Sequence, residues 1–272
     1  MTSIRCTRVN HMNLVLQDFD ASVAHFREIY GADFLMDLPQ RELHACLIEI
    51  GRVIFELFVP HEFLTSVRYG PHYVGIEYQA DVDVVRQAVA ERGIRIVRDI
   101  GVALHTHPAD CFGVSFEFYG GYFHDNEWAL LGGNKMRSPD YWRDQSPLGL
   151  TGLKGYSVAV HDIDAARAFF ESFVSAQQIY EEARPAVAAR AIGLQVSDEV
   201  VELITPTGDG PLQRHLHRYG DGIRSTNFGC RDIAQLRRYF DERGVELIAG
   251  DAPNSLAVPA EANLGAIFQF SE

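Results

Sequence analysis

No run of eighteen or more apolar residues occurs in this 272-residue chain, so no helical membrane span is expected. The opening stretch, Met1-Thr-Ser-Ile-Arg-Cys-Thr-Arg8, lacks an apolar core and a small-residue cleavage site. The expectation is therefore a cytoplasmic protein without a secretion signal. Positive charge is short as well: 24 Lys and Arg against 37 Asp and Glu give a net charge of −13. A nucleic acid or an anionic membrane surface calls for a basic face, so neither is expected as a partner. Cysteine is scarce, and Cys6, Cys46, Cys111 and Cys230 lie far apart with no CxxC pair. That spacing points to reduced, packed thiols instead of a disulfide framework or a cysteine zinc knuckle.

What is present in quantity is apolar surface and histidine. Hydrophobic residues make up 47% of the chain and charged residues 22%, the balance of a globular protein with real cores. Eleven histidines are a generous supply. The dominant signal is internal repetition. Gln17-Asp-Phe-Asp-Ala-Ser-Val-Ala-His-Phe26 is echoed by His161-Asp-Ile-Asp-Ala-Ala-Arg-Ala-Phe-Phe170. Ile54-Phe-Glu-Leu-Phe-Val-Pro60 is echoed by Val200-Val-Glu-Leu-Ile-Thr-Pro206, and Gly113-Val-Ser-Phe-Glu-Phe118 by Gly265-Ala-Ile-Phe-Gln-Phe270. Asp162 follows Asp18 by 144 residues, Glu202 follows Glu56 by 146, Gly244 follows Gly93 by 151 and Gln269 follows Glu117 by 152. An offset that grows slowly and never resets is the mark of a whole-domain duplication with small loop insertions.

Each half carries its own echo. Asp81 leads into a helix ending at Arg92-Gly93, and Asp232 leads to Arg243-Gly244 over the same distance. Aspartate before an apolar helical pattern is a helix start, since its carboxylate takes up free backbone N–H groups. The pattern predicts four units of strand, helix and three strands. Strands are expected near 9–16, 33–38, 43–50, 53–59, 72–79, 94–100 and 112–119, and again from 153. Helices are expected near 19–30, 82–92, 163–174 and 232–243, with a short amphipathic helix at Leu212–Tyr219 whose His215 and His217 are solvated. Residues 132–151, rich in Gly, Pro and polar side chains, read as a linker. The expected domains are thus 1–131 and 152–272.

At these residues the sequence resembles the vicinal-oxygen-chelate superfamily, over nearly the whole chain. The N-terminal half most resembles methylmalonyl-CoA epimerase and glyoxalase, through Thr106-His-Pro-Ala-Asp-Cys-Phe-Gly-Val-Ser-Phe-Glu-Phe118 and Ile50-Gly-Arg-Val-Ile-Phe-Glu-Leu-Phe-Val-Pro60. The resemblance implies an α+β tandem fold in which four βαβββ motifs form two cupped mixed sheets. It also implies a divalent metal held by the first and last strands of paired motifs. Carried over residue by residue, the ligands are His11, seven residues before Asp18, then Glu56 and Glu117. Counting seven back from Asp81 gives Val74, which cannot bind metal, whereas alignment from Gly70 gives His72, brought to the metal by a bulge at the strand start. Glu56 stands either as a ligand or as a residue serving its own strand. Tyr73, His105 and Tyr119 are the substrate-contact candidates, with His107 in the turn of the His-Pro loop. The aromatics around Phe116 either line a pocket or fill a core.

In the C-terminal half the same positions hold Gly155, Glu202, Ser225 and Gln269. Only Glu202 is a good ligand there, so the metal is expected in the N-terminal half. Imidazole with carboxylate suits Fe, Mn, Zn, Co or Ni as the divalent ion, with places left for a bidentate small-molecule substrate. The resemblance implies a metal-dependent lyase or isomerase of the glyoxalase or epimerase kind. In it the ion stabilises an enolate, and Glu117, with Glu56, carries the proton. Two alternatives stand beside it: an extradiol-type ring-cleaving dioxygenase using Fe(II), and a ligand-binding resistance protein that is not an enzyme. Family members complete their cups within one chain or across two, so a homodimer is also compatible with the resemblance.

Overall fold

Aspartates start four of the helices. In the computed structural model, which describes residues 1–61 and 70–272, β1 (Arg8–Val15) leads to Asp18, whose carboxylate accepts from Ala21 N at 2.8 Å and opens α1 (Phe19–Tyr30). Gly31 closes that helix at φ 65°, a left-handed position that glycine takes without steric cost. Three strands follow, β2 (Asp33–Pro39), β3 (Leu43–Ile50) and β4 (Val53–Pro60). The second motif repeats the plan: β5 (His72–Gln79), Asp81 capping α2 (Val82–Arg92), then β6 (Ile96–Asp99), β7 (Ala103–Thr106) and β8 (Ser115–Tyr119). The four-residue β7 is the strand that the sequence pattern did not separate from its loop. The third motif is β9 (Leu150–Ala159), Asp162 capping α3 (Ile163–Phe173), β10 (Gln177–Arg184), β11 (Ala189–Val196) and β12 (Glu199–Pro206). After α4 (Pro211–Tyr219) comes the fourth: β13 (Gly222–Cys230), Asp232 capping α5 (Ile233–Asp241), β14 (Ile248–Ala249), β15 (Leu256–Val258) and β16 (Ile267–Ser271).

The strands form two mixed eight-stranded sheets of matching order, β2-β3-β4-β1-β5-β8-β7-β6 and β10-β11-β12-β9-β13-β16-β15-β14. Within each motif the first and last strands run parallel, β1 with β4 and β5 with β8, and likewise β9 with β12 and β13 with β16. The fold is therefore α+β, four βαβββ motifs in tandem. No helix among the described residues is long and apolar enough to cross a membrane.

Compactness groups the chain into two units, each drawing on both halves of the sequence. One comprises Met1–His11, Val74–Phe123 and Gly155–Arg224; the other comprises Met12–Tyr73, His124–Lys154 and Ser225–Glu272. In the first, Phe170 and Phe173 of α3 pack edge-on against Phe116 of β8 at 5.5 and 5.8 Å, and the hydroxyls of buried Tyr78 and Tyr156 meet at 2.8 Å. In the second, Phe26 of α1 stacks on Phe268 of β16, which also meets Phe55 at 5.2 Å. Aromatic pairs at these spacings add about 0.5–1.5 kcal/mol each beyond the apolar area they bury. Cys6, Cys46, Cys111 and Cys230 are free, buried thiols.

The expected linker, 132–151, is tied down within the second unit. It contains one wide helical turn at Tyr141–Gln145, and its last two residues already belong to β9. Trp142 is buried and donates its indole N–H to Glu49 at 2.9 Å, while Arg137 N donates to the other carboxylate oxygen at 2.9 Å. Glu49 is wholly buried; burial pushes its carboxyl up, against the pull of those two donors.

A second acid, half-buried, has weaker support. Burial, with the charge of Asp198 adding, raises Glu199 at the start of β12 from 4.5 to about 8. An acid whose folded pKa is raised favours the folded state most when protonated. That stability is complete below pH 4.5 and falls as the pH rises to about 8. Glu199→Gln is therefore expected to melt with the wild type at pH 4.5 and a few degrees above it at pH 8.5. Equal melting temperatures at both pH values would contradict the assignment.

Candidate metal centre

The register of two parallel strands makes the site. β5 and β8 pair so that Gly75 lies beside Ser115 and Glu77 beside Glu117. Alternation sends Ile76, Tyr78, Phe116 and Phe118 into the apolar core, all of them fully buried, so Glu77 and Glu117 share the opposite face. His11, from β1, meets them there. Its Nε2 lies 3.5 Å from Glu77 Oε1 and 3.9 Å from Glu117 Oε2. The three residues each offer one ligand atom, all within 4.8 Å of one another. Their side chains are only 1%, 3% and 9% exposed respectively.

Two carboxylates this close and this dry cannot both stay charged without a cation. Burial, reinforced by the neighbouring Glu117 and opposed by His11, raises Glu77. Burial also acts upward on Glu117, but the hydrogen bond from His105 and the nearby imidazoles outweigh it and hold that group low. The two carboxyls are thus pushed apart, Glu77 upward and Glu117 downward. The Glu77 Oε1 atom is buried and makes no hydrogen bond, which normally costs the full desolvation of the group. An imidazole nitrogen and two carboxylate oxygens converging on an unsatisfied buried oxygen are a donor set that fits a divalent cation.

His105 stands behind the carboxylate. β7 runs antiparallel to β8 and sets His105 opposite Glu117; its Nε2 is 2.6 Å from Glu117 Oε1, the oxygen turned away from His11. His105 is the most exposed of the four, at 17%.

Of the residues expected as ligands, the structure brings together His11 and Glu117 and joins Glu77 to them. Glu56 and His72 are not in the group. Glu56 is buried on β4, paired in register with Asn13 and Leu47. His72 is five residues from Glu77, an odd number, so along a regular strand it takes the other face; its Nδ1 contacts Gly70 O at 2.7 Å, and burial lowers its pKa. Tyr73 is buried, with its hydroxyl bonded to Thr226 Oγ1 at 2.8 Å and Ile267 O at 3.1 Å. Tyr119 is half-buried against Phe123, and His107 caps a short turn by accepting from Ala109 N. His217 is exposed, but His215 is half-buried beside Tyr219, because its helix turn brings that face inward.

Glu77 escaped the spacing argument because counting back from Asp81 lands on an apolar residue. The available signal was a lone acid within the run Val74-Gly-Ile-Glu-Tyr78, in register with Glu117. Gly75, the preceding position on the same face, has no room for a side chain: a Cβ there would sit 1.9 Å from Ser115 O.

The equivalent positions of the C-terminal half are closed in other ways. A Cβ at Gly155 would sit 2.0 Å from Val200 O. Glu202 is held by the buried guanidinium of Arg184 and accepts from Tyr180 Oη at 2.8 Å. Leu212 and Leu216 of α4 pack with Ala159, Ala189, Ala191 and Ile204 on that same face of the strands. In the other unit Gln269 donates to Ser225 Oγ at 2.7 Å and accepts from Asp251 N at 2.6 Å, and Ser225 bonds Asn227.

No family model matches the sequence, and no curated protein matches it. Solved structures do. A triple mutant of 4-hydroxymandelate synthase from Streptomyces coelicolor aligns over 97% of this chain and 92% of its own, at 12% identity and a TM-score of 0.74. An extradiol ring-cleaving dioxygenase from B. fuscum aligns over 98% of this chain and 72% of its own, at 13% identity and 0.67. A 2,3-dioxygenase from Pseudomonas sp. KL28 aligns over 99% and 93%, at 10% identity and 0.64. The chain has the tandem vicinal-oxygen-chelate fold.

Arg184 and Glu202 are 3% and 4% exposed, and removing one partner strands a buried charge. Arg184→Met is expected to cost about 3–5 kcal/mol of unfolding free energy, and Arg184→Met with Glu202→Met to recover most of it. Denaturant titration of the two variants decides; a single-variant cost below about 1 kcal/mol would contradict the pairing.

Proposed function

We propose that this protein is a metal-dependent enzyme of the vicinal-oxygen-chelate type. It binds one divalent cation through His11, Glu77 and Glu117 and acts by proton transfer on a small substrate with two vicinal oxygens. The observation that carries the reading is the buried convergence of those three side chains within 4.8 Å. A bound cation supplies Lewis acidity that neutralises the charge developing on a substrate oxygen. The chain supplies the rest. Glu117 is the carboxylate placed to take the substrate proton, the bonding electrons staying on the substrate as an enolate. His105, whose Nε2 lies 2.6 Å from Glu117 Oε1, holds that carboxylate in orientation while it acts.

One observation favours a second reading. The whole-length structural likeness is to enzymes that include a 2,3-dioxygenase and an extradiol ring-cleaving dioxygenase. One histidine with two carboxylates also suits Fe(II) and leaves coordination places for a catechol and O₂.

Protein purified without chelator is expected to carry about one divalent metal per chain by elemental analysis, after reconstitution if need be. His11→Ala, Glu77→Ala and Glu117→Ala are each expected to lose it, with His72→Ala retaining it. Wild-type protein that holds no Fe²⁺, Mn²⁺, Co²⁺, Ni²⁺ or Zn²⁺ would sink the reading. Loaded with iron, oxygen uptake on catechols selects the dioxygenase; loaded with the others, solvent deuterium incorporation into a vicinal dioxygen substrate selects proton transfer.

A further inference from the structure

The two oxygens of Glu117 have different surroundings. Oε2 is the one turned to His11, at 3.9 Å, inside the converging group; Oε1 is held by His105 Nε2 at 2.6 Å. His105 is fixed in turn by its strand, since β7 pairs with β8 in a register that puts His105 opposite Glu117 and Leu104 opposite Phe118. Leu104 is fully buried on the core side, so the alternation of a four-residue strand leaves His105 only the face that Glu117 occupies.

We infer that His105 is a positioning residue that restricts Glu117 to one-oxygen ligation and so keeps a coordination place open for substrate. This rests on the metal-binding reading above. A carboxylate beside a divalent ion binds through one oxygen or both. A short hydrogen bond to Oε1 from an imidazole N–H removes that oxygen from the contest. Three protein atoms, one each from His11, Glu77 and Glu117, then fill three places of a six-coordinate ion. Three are left, enough for the two oxygens of a chelating substrate and one more group. If Glu117 closed onto the ion with both oxygens, only two would remain.

The test counts open places without using turnover. Mn²⁺ is loaded into wild-type protein and into His105→Phe and His105→Gln, and the water-proton relaxivity of each is measured, since each open place holds an exchanging water. His105→Phe removes the donor, so Glu117 takes the extra place and relaxivity falls by about a third, from three waters to two. His105→Gln keeps an N–H donor and is expected to restore the wild-type value. Relaxivity equal in all three proteins overturns the inference, as does a His105→Gln value matching His105→Phe. A rise in His105→Phe also overturns it, because that shows His105 to be a ligand itself. Mn²⁺ binding lost in His105→Phe but kept in His105→Gln also overturns it, because His105 then keeps Glu117 at the ion instead of limiting how many of its oxygens bind. Wild-type protein that binds no Mn²⁺ fails the metal reading itself, a result distinct from all of these.

Discussion

Two carboxylates and an imidazole buried within 4.8 Å of one another set the electrical constraint around which this half of the protein is arranged. Charges so close and so poorly hydrated repel strongly. Burial raises Glu77, while the hydrogen bond from His105 holds Glu117 low. Glu77 Oε1 is buried without a hydrogen bond. A structure that needed only stability would have no reason to keep such an atom, since an apolar side chain would fit the strand and avoid the desolvation. The arrangement makes sense as a site prepared for something positive. Its rigidity comes from the paired registers of β5 with β8 and β7 with β8, so no loop has to hold a ligand in place.

The duplication shows what happens when the same strands are released from that duty. At the matching positions of the C-terminal half, Glu202 and Gln269 have protein partners. Glu202 has Arg184 and Tyr180, and Gln269 has Ser225 and Asp251. A guanidinium now does there what a metal would do, neutralising a buried carboxylate, and α4 contributes Leu212 and Leu216 to the same strand face. One half gathers two carboxylates around an imidazole, the other pairs its carboxylate with a guanidinium, on the same backbone plan. Fold and site are separable here: the plan belongs to the strand order, and the chemistry belongs to a few side chains on one face.

Much of the fold was legible in the sequence because the repeat was. The Asp caps at Asp18, Asp81, Asp162 and Asp232 each open a helix where the spacing placed one, since a side chain that accepts backbone N–H groups acts locally and needs no tertiary context. β7 was harder. Four residues are too few for alternation to stand out, and the pairing partners that make it a strand lie across the sheet. The site was legible in part. His11 and Glu117 sit at strand positions fixed by the repeat, and counting reaches them. Glu77 is not reached, because the count lands on Val74, on the other face of β5, and the nearer position on its own face, Gly75, has no room for a side chain. The tight packing of Gly75 on the Ser115 carbonyl is a fact of sheet geometry that no linear spacing contains. Tyr73 looked like a substrate contact for a similar reason: its partners Thr226 and Ile267 are about 150 and 190 residues away.

The most direct test of the account is where a cation goes. Crystals of the protein soaked in Mn²⁺ and measured for anomalous scattering are predicted to show one strong peak, coordinated by His11 Nε2, Glu77 and Glu117, with His105 still bonded to the far oxygen of Glu117. A peak placed instead among Glu202 and its neighbours, or at His72 without Glu77, would contradict it. So would crystals that take up no ion at that site while His11, Glu77 and Glu117 keep the arrangement described.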